Sequence, residues 1–336
     1  MDSNSSRLNE ETTILQLVSK YRTELMGGAI IGVLIGHLLM YTDHHITIID
    51  FLCRMIHTQG FLFLSGFGLY YSFSKNGSIR DFYKRRVVRL YIPFFLMALP
   101  FFLLVTFSEH HSLYRFIAYM TTIDYWLEGN YYGMWYVAVS LALYFTYPLL
   151  HNLMFTNRER VLWQGCLIIL TIVFAFEWMS RSNFAYWAIV SFGVEKTIIF
   201  PLGALCGYYS LQSKQITRLQ LVLYFIAMIG ILATFKLIDD KNLFEQTRTL
   251  IGIPALCLLL EWFDRVKNCR WISPTLNWLG RYSLEIYLLH LFIWWGLSFL
   301  TPLSSTYRIL IAIPVTLIIC SPVHIGISMI ENKMIR

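Results

Sequence analysis

The stretch VVRLYIPFFLMALPFFLLVTF, residues 87–107, decides the class of this chain. It carries one arginine near its start and no other charge. A helix rises 1.5 Å per residue and the hydrocarbon core of a bilayer is about 30 Å thick, so roughly 20 apolar residues cross it. This run is long enough. Nine further runs read the same way: 25–41, 59–74, 132–155, 161–179, 189–210, 218–238, 248–263, 282–300 and 308–330. Two of them, 59–74 and 248–263, are short. The segments 44–58 and 112–127 are too polar to span and read as amphipathic helices lying in one interface.

Composition agrees with that pattern. Of 336 residues 57% are hydrophobic and only 14% charged, with a mean hydropathy of +0.55. A soluble domain carries about 25% charged residues because its surface faces water. The arithmetic excludes a soluble two-domain protein and a disordered one. Six cysteines, none in a CxxC pair, make no disulfide scaffold and read as small packing residues. The expected fold is all-α and polytopic, with about ten transmembrane helices. Residues 1–24 form a leader, 25–330 one membrane domain and 331–336 a tail. No internal repeat or Pro/Gly-rich linker divides it.

The net charge of +7 reads as membrane orientation and not as nucleic-acid binding. With the N-terminus in the cytoplasm, 19 Lys and Arg residues fall on the cytoplasmic side and 7 on the other, with Lys196 inside a span. Both termini are expected in the cytoplasm.

Ionisable groups within spans are costly, so each is a candidate for function. His37 lies 12 residues beyond Leu25, about 18 Å along a helix and past the midplane. A desolvated imidazole stays neutral, the form a general base needs; the alternative is a packing histidine bonded to a carbonyl. Lys84, Arg85, Arg86 and Arg89 form a cationic collar at the entry to the 87–107 run. Arg86 and Arg89 share a helix face, and guanidinium forks suit phosphate. The plainer reading is a positive-inside anchor, which the position of Arg89 within the apolar run weakens. Ser283, Tyr287 and His290 share a helix face. Asp50, Arg54 and His57 share another, and His44–His45 and His110–His111 read as surface pairs with no metal-ligand spacing.

At this point five segments resemble one family in order. YRTELMGGAIIGVLIGH (21–37) is similar to the opening of the acyltransferase-3 family of bacterial integral-membrane O-acyltransferases. FLFLSGFGLYYSFSK (61–75) resembles its Ser-Gly-Phe signature, followed by the basic FYKRRVVRLYIPF (82–94). GMWYVAVSLALYFTYPLL (133–150) and LNWLGRYSLEIYLLH (276–290) resemble its later motifs.

The resemblance implies transfer of an acyl group, usually acetyl, from acyl-CoA to a hydroxyl of a cell-surface glycan or glycolipid, at the bacterial cytoplasmic membrane. Acetyl-CoA would be the donor substrate, with no bound cofactor and no metal. His37 matches the family's first-span histidine, its expected base. Arg86 and Arg89, with Arg85, match the pair implicated with donor phosphates, and Ser65 and Gly66 match the Ser-Gly-Phe element. Lys196 precedes FPLGALCGYY (200–209), which resembles a family stretch, and is a candidate donor contact, as is His290. Many members carry an arginine eleven residues before the histidine. Met26 stands there in this chain, and Arg22, one turn earlier, is the substitute. The competing reading is a glycolipid transporter or flippase, which tends to show repeats and broken helices.

Overall fold

The computed structural model describes residues 13–42, 47–129, 132–214, 216–266 and 271–335. Among these residues there are sixteen α-helices and no strand. They run α1 Ile14–Lys20, α2 Arg22–Tyr41, α3 Thr47–Asn76, α4 Ile79–Arg86, α5 Ile92–Ser108, α6 Leu113–Met120, α7 Ile123–Glu128 and α8 Trp135–Phe155. The second half runs α9 Val161–Ser182, α10 Phe184–Val194, α11 Ile199–Leu211, α12 Arg218–Leu237, α13 Lys241–Val266, α14 Ile272–Arg281, α15 Ser283–Leu300 and α16 Ser305–Ile335. A π turn, Val87–Tyr91, joins α4 to α5, and a 3-10 turn, Glu195–Ile198, joins α10 to α11.

Eight helical segments among the described residues are long and apolar enough to cross a membrane. They account for eight of the ten apolar runs. The other two, 59–74 and 248–263, lie on α3 and α13; Gln59, serines and tyrosines lower the hydropathy of the first, and Arg248 and Glu261 that of the second. The lipid-facing character is plain on α9 and α12, where Trp163, Leu167, Phe174, Leu223 and Ile226 are exposed. An apolar surface of that extent is stable only against hydrocarbon or another protein.

Two expectations change, and the leader gains detail. The segment 44–58 is not a separate interfacial helix: from Thr47 it continues into the 59–74 run as the single helix α3, while 43–46 lie outside the described residues. A few polar side chains interrupt hydropathy without interrupting the backbone hydrogen bonds that make a helix. The segment 112–127 is two short helices, α6 and α7, hinged at Thr122, whose φ is 61°. From Thr13 onward the leader is packed. Thr13 and Gln16 form a capping box that starts α1. Ile14, Leu15, Leu17 and Val18 are buried, and Tyr21 and Lys20 both reach Asp264 on α13.

Two close helix pairs hold the centre. α3 packs on α11 and α2 on α14. A Cβ added at Gly66 would run into the Phe200 carbonyl, and one at Gly203 into that of Phe63. Gly27 and Gly280 meet Leu276 and Thr23 in the same reciprocal way. Without side chains at these crossings the backbones can touch, which is how helices associate where lipid removes the hydrophobic drive.

The π turn has a local cause. Pro93 has no N–H for the α-helical bond to the Arg89 carbonyl, and its ring would crowd that group. The preceding turn widens instead, and the Ile92 N–H bonds to Val87, five residues back.

Candidate active site

The predicted residues gather at two levels of α2. The lower level is a cavity of about 310 Å3. Arg22 enters it from the first turn of α2, Arg86 from the end of α4 and Arg89 from the π turn. Met26, Ser65, Gly68, Ser72, Tyr136, Tyr144, Ser283 and Tyr287 complete much of the wall. Arg86 donates from Nη2 to Ser72 Oγ at 3.1 Å, and its guanidinium lies 5.5 Å from the Phe82 ring centre and 5.8 Å from that of Tyr144. The Arg22 guanidinium rests against Gly68, where a Cβ would collide with it. Ser65 Oγ and the Tyr144 hydroxyl are 3.3 Å apart. Arg89 is exposed, at the mouth.

No ion pair to a carboxylate is formed by Arg22, Arg86 or Arg89 among the described residues. The Nε atoms of Arg22 and Arg86 are buried with no hydrogen-bond partner. Converging like charges without a counter-charge destabilise the empty site, and unsatisfied buried donors add to that. Both terms reverse when an anion with several acceptor oxygens enters. Guanidinium forks bind such oxygens in pairs.

The upper level is a pair of imidazoles. His37 Nδ1 lies 2.7 Å from His290 Nε2, and the rings stack with centroids 5.0 Å apart. His290 is fully buried, and its Nδ1 is 2.7 Å from the Ile286 carbonyl oxygen. Tyr41 lies 5.7 Å from the His37 ring, and Tyr287 lies 6.2 Å from that of His290. Tyr287 belongs to both levels: its ring lines the cavity, and its hydroxyl donates to the Gly133 carbonyl at 2.7 Å. The face shared by Ser283, Tyr287 and His290 therefore runs from the cavity to the imidazole pair. Along α2, Arg22 and His37 are about 22 Å apart.

Other candidates stand elsewhere. Gly66 faces the Phe200 backbone and not the cavity, while its neighbour Gly68 faces Arg22. Arg85 is not on the cavity wall. Lys196 is buried away from it, over the Trp135 and Phe192 rings, with its ammonium donating to the Phe192 carbonyl. His57 contacts the Thr58 hydroxyl, and His111 pairs with Glu109 at 3.0 Å. The side chains of Asp50 and Arg54, and all of His44, His45 and Cys269, lie outside the described residues. Sequence reasoning missed Tyr136, Tyr144 and Ser72 as wall residues. The signal available for the two tyrosines was the segment GMWYVAVSLALYFTYPLL (133–150), which contains both.

The family model described as an acyltransferase domain, acyltransferase-3, matches residues 27–325, nearly the whole chain. No curated protein and no solved structure matches it.

Proposed function

The chain belongs to the acyltransferase-3 family, and from that premise we propose that it moves an acyl group, acetyl first of all, from acyl-CoA to a hydroxyl of a cell-surface glycan or glycolipid. The observation that carries the reading is the cavity where three arginines converge with no carboxylate paired to them among the described residues. Acyl-CoA is a polyphosphate at one end, a thin pantetheine arm, and a thioester at the other. Arg22, Arg86 and Arg89 would hold the phosphates, and the arm would follow Met26, Tyr136 and Tyr287 toward His37.

The chemistry at His37 is proton transfer. As the acceptor oxygen attacks the thioester carbonyl, its proton passes to His37. The carbon–sulfur bond then breaks, and the same proton leaves with the CoA sulfur. One imidazole thus serves as base and then acid. The excess of Lys and Arg on one side supports placing the arginine cavity at the cytoplasmic face, where acyl-CoA is made. It supports a multi-pass protein of the bacterial cytoplasmic membrane whose acceptor arrives from the far side.

The test uses the full chain in nanodiscs with labelled acetyl-CoA and a glycolipid extract. Wild type should release CoA thiol and place label in an ester that mild base removes. His37→Ala should do neither while still binding CoA. Label transfer by His37→Ala within a fewfold of wild type would refute the base, and no CoA binding by wild type would refute the donor.

A further inference from the structure

We infer that His290 is a positioning residue that holds His37 in the one tautomer able to accept a proton at Nε2. The inference rests on the reading of His37 as the base.

The logic follows from which atoms can donate. A carbonyl oxygen only accepts, so His290 Nδ1, 2.7 Å from the Ile286 oxygen, carries a hydrogen. A neutral imidazole has one N–H, so His290 Nε2 presents a lone pair. That lone pair lies 2.7 Å from His37 Nδ1, which must then be the donor. Neutral His37 has spent its single N–H there, and its Nε2 is left bare. Each step is fixed by the one before it, starting from a backbone carbonyl.

His290 has little freedom to do otherwise. It is 0% exposed, so bulk water does not reach it to compete for either bond. Turning its ring over would put carbon atoms where Nδ1 and Nε2 now stand and break both bonds. No carboxylate is paired with either ring among the described residues. A neutral imidazole therefore holds the orienting place that a buried carboxylate fills in serine-protease triads. When His37 takes the acceptor's proton at Nε2, its Nδ1–H becomes a cationic donor, and the bond to His290 strengthens as charge develops. The contact is thus worth more at the transition state than before it, as rate acceleration requires.

The test compares His290→Phe, which keeps ring bulk and loses the acceptor, with His290→Gln, whose side-chain carbonyl can accept from His37 Nδ1. His290→Phe should lower kcat by about a hundredfold, the usual scale for a displaced general base. Its acyl-CoA affinity should not change, because the arginine cavity is untouched. His290→Gln should recover most of that loss. In histidine-labelled protein in nanodiscs, nitrogen NMR should report wild-type His37 with Nδ1 protonated and Nε2 bare, its signal assigned by its absence in His37→Gln. That measurement needs neither a foldable His290 variant nor catalysis. A protonated Nε2 on wild-type His37, an undiminished kcat in His290→Phe, or equal losses in the Phe and Gln variants would each overturn the proposal. Inactive His37→Ala beside active His290→Phe overturns the positioning role alone, whereas active His37→Ala overturns the base itself.

Discussion

Replacing Arg22 by alanine should weaken CoA binding and leave the empty protein no less stable. The Arg22 guanidinium lies in the cavity with two others, its Nε buried and unpartnered. A hydrogen bond to a charged group is worth about 1.5–3 kcal/mol. At 1.4 kcal/mol per tenfold, that is about ten- to a hundredfold in affinity. In the empty protein the same change relieves repulsion from Arg86 and Arg89, so the thermal midpoint should hold or rise. A residue that merely supports the fold would lower both quantities together. Met26 lines the same cavity one turn deeper, so Arg22→Ala with Met26→Arg should recover part of the lost affinity. Calorimetric titration of CoA in nanodiscs, with acetyl-pantetheine as a phosphate-free donor in turnover, reads the effect. Acetyl-pantetheine should be indifferent to all these changes. Unaltered CoA affinity, or equal losses for both donors, would refute the assignment of Arg22 to phosphate.

Gly66→Val should drive a side chain into the Phe200 carbonyl and cost about 1–3 kcal/mol of stability, the range for overpacked interiors. Gly28→Ala, whose Cβ meets nothing within 4 Å, should be silent in the same thermal scan. A Gly66→Val protein of normal stability but poor donor affinity would instead place Gly66 on the donor path. Burial, aided by Glu128 and opposed by Arg115, pushes the Asp124 carboxyl up from 3.8 to about 6. The folded state therefore holds that proton more tightly than the unfolded chain. The resulting stability is full below pH 4 and is lost as pH rises through about 6. The midpoint difference between wild type and Asp124→Asn should move across that window, and a constant difference would remove Asp124 as its source.

Much of this fold was legible because lipid imposes a simple rule on sequence. Segments such as 161–179 and 218–238 must be apolar almost all round, and they became α9 and α12. The rule fails where a helix is wrapped by protein. α3 carries Gln59 and Thr58 buried in the bundle, and polarity there signals packing, not water. α1 and α14 are too short for hydropathy to notice, yet both are docked. The site was half legible. Arg86 and Arg89 were visible as charges out of place, and His37 as a lone imidazole in an apolar run. The pairing of His37 with His290 was not, because 253 residues separate them and only tertiary packing decides which imidazole meets which. Gly66 misled for a related reason. A glycine in a span serves a ligand or a neighbouring helix equally well, and the choice belongs to the partner.

The widened turn at Val87–Tyr91 makes this region sensitive to length more than to composition. It amounts to one residue beyond a plain α-helix. Deleting one residue there would return the turn to a plain α-helix and keep the facing of α5, whereas inserting one more would rotate all of α5 by about 100° about its axis. Phe94, Met97, Ala98, Phe101, Phe102 and Val105, now buried, would swing away from their partners. The arginine at the cavity mouth and the facing of a helix up to 17 residues long hang on the same irregularity. Single-residue insertions between Arg86 and Pro93 should thus be far rarer among functional variants than substitutions, and an insertion should be rescued only by a deletion within the same turn.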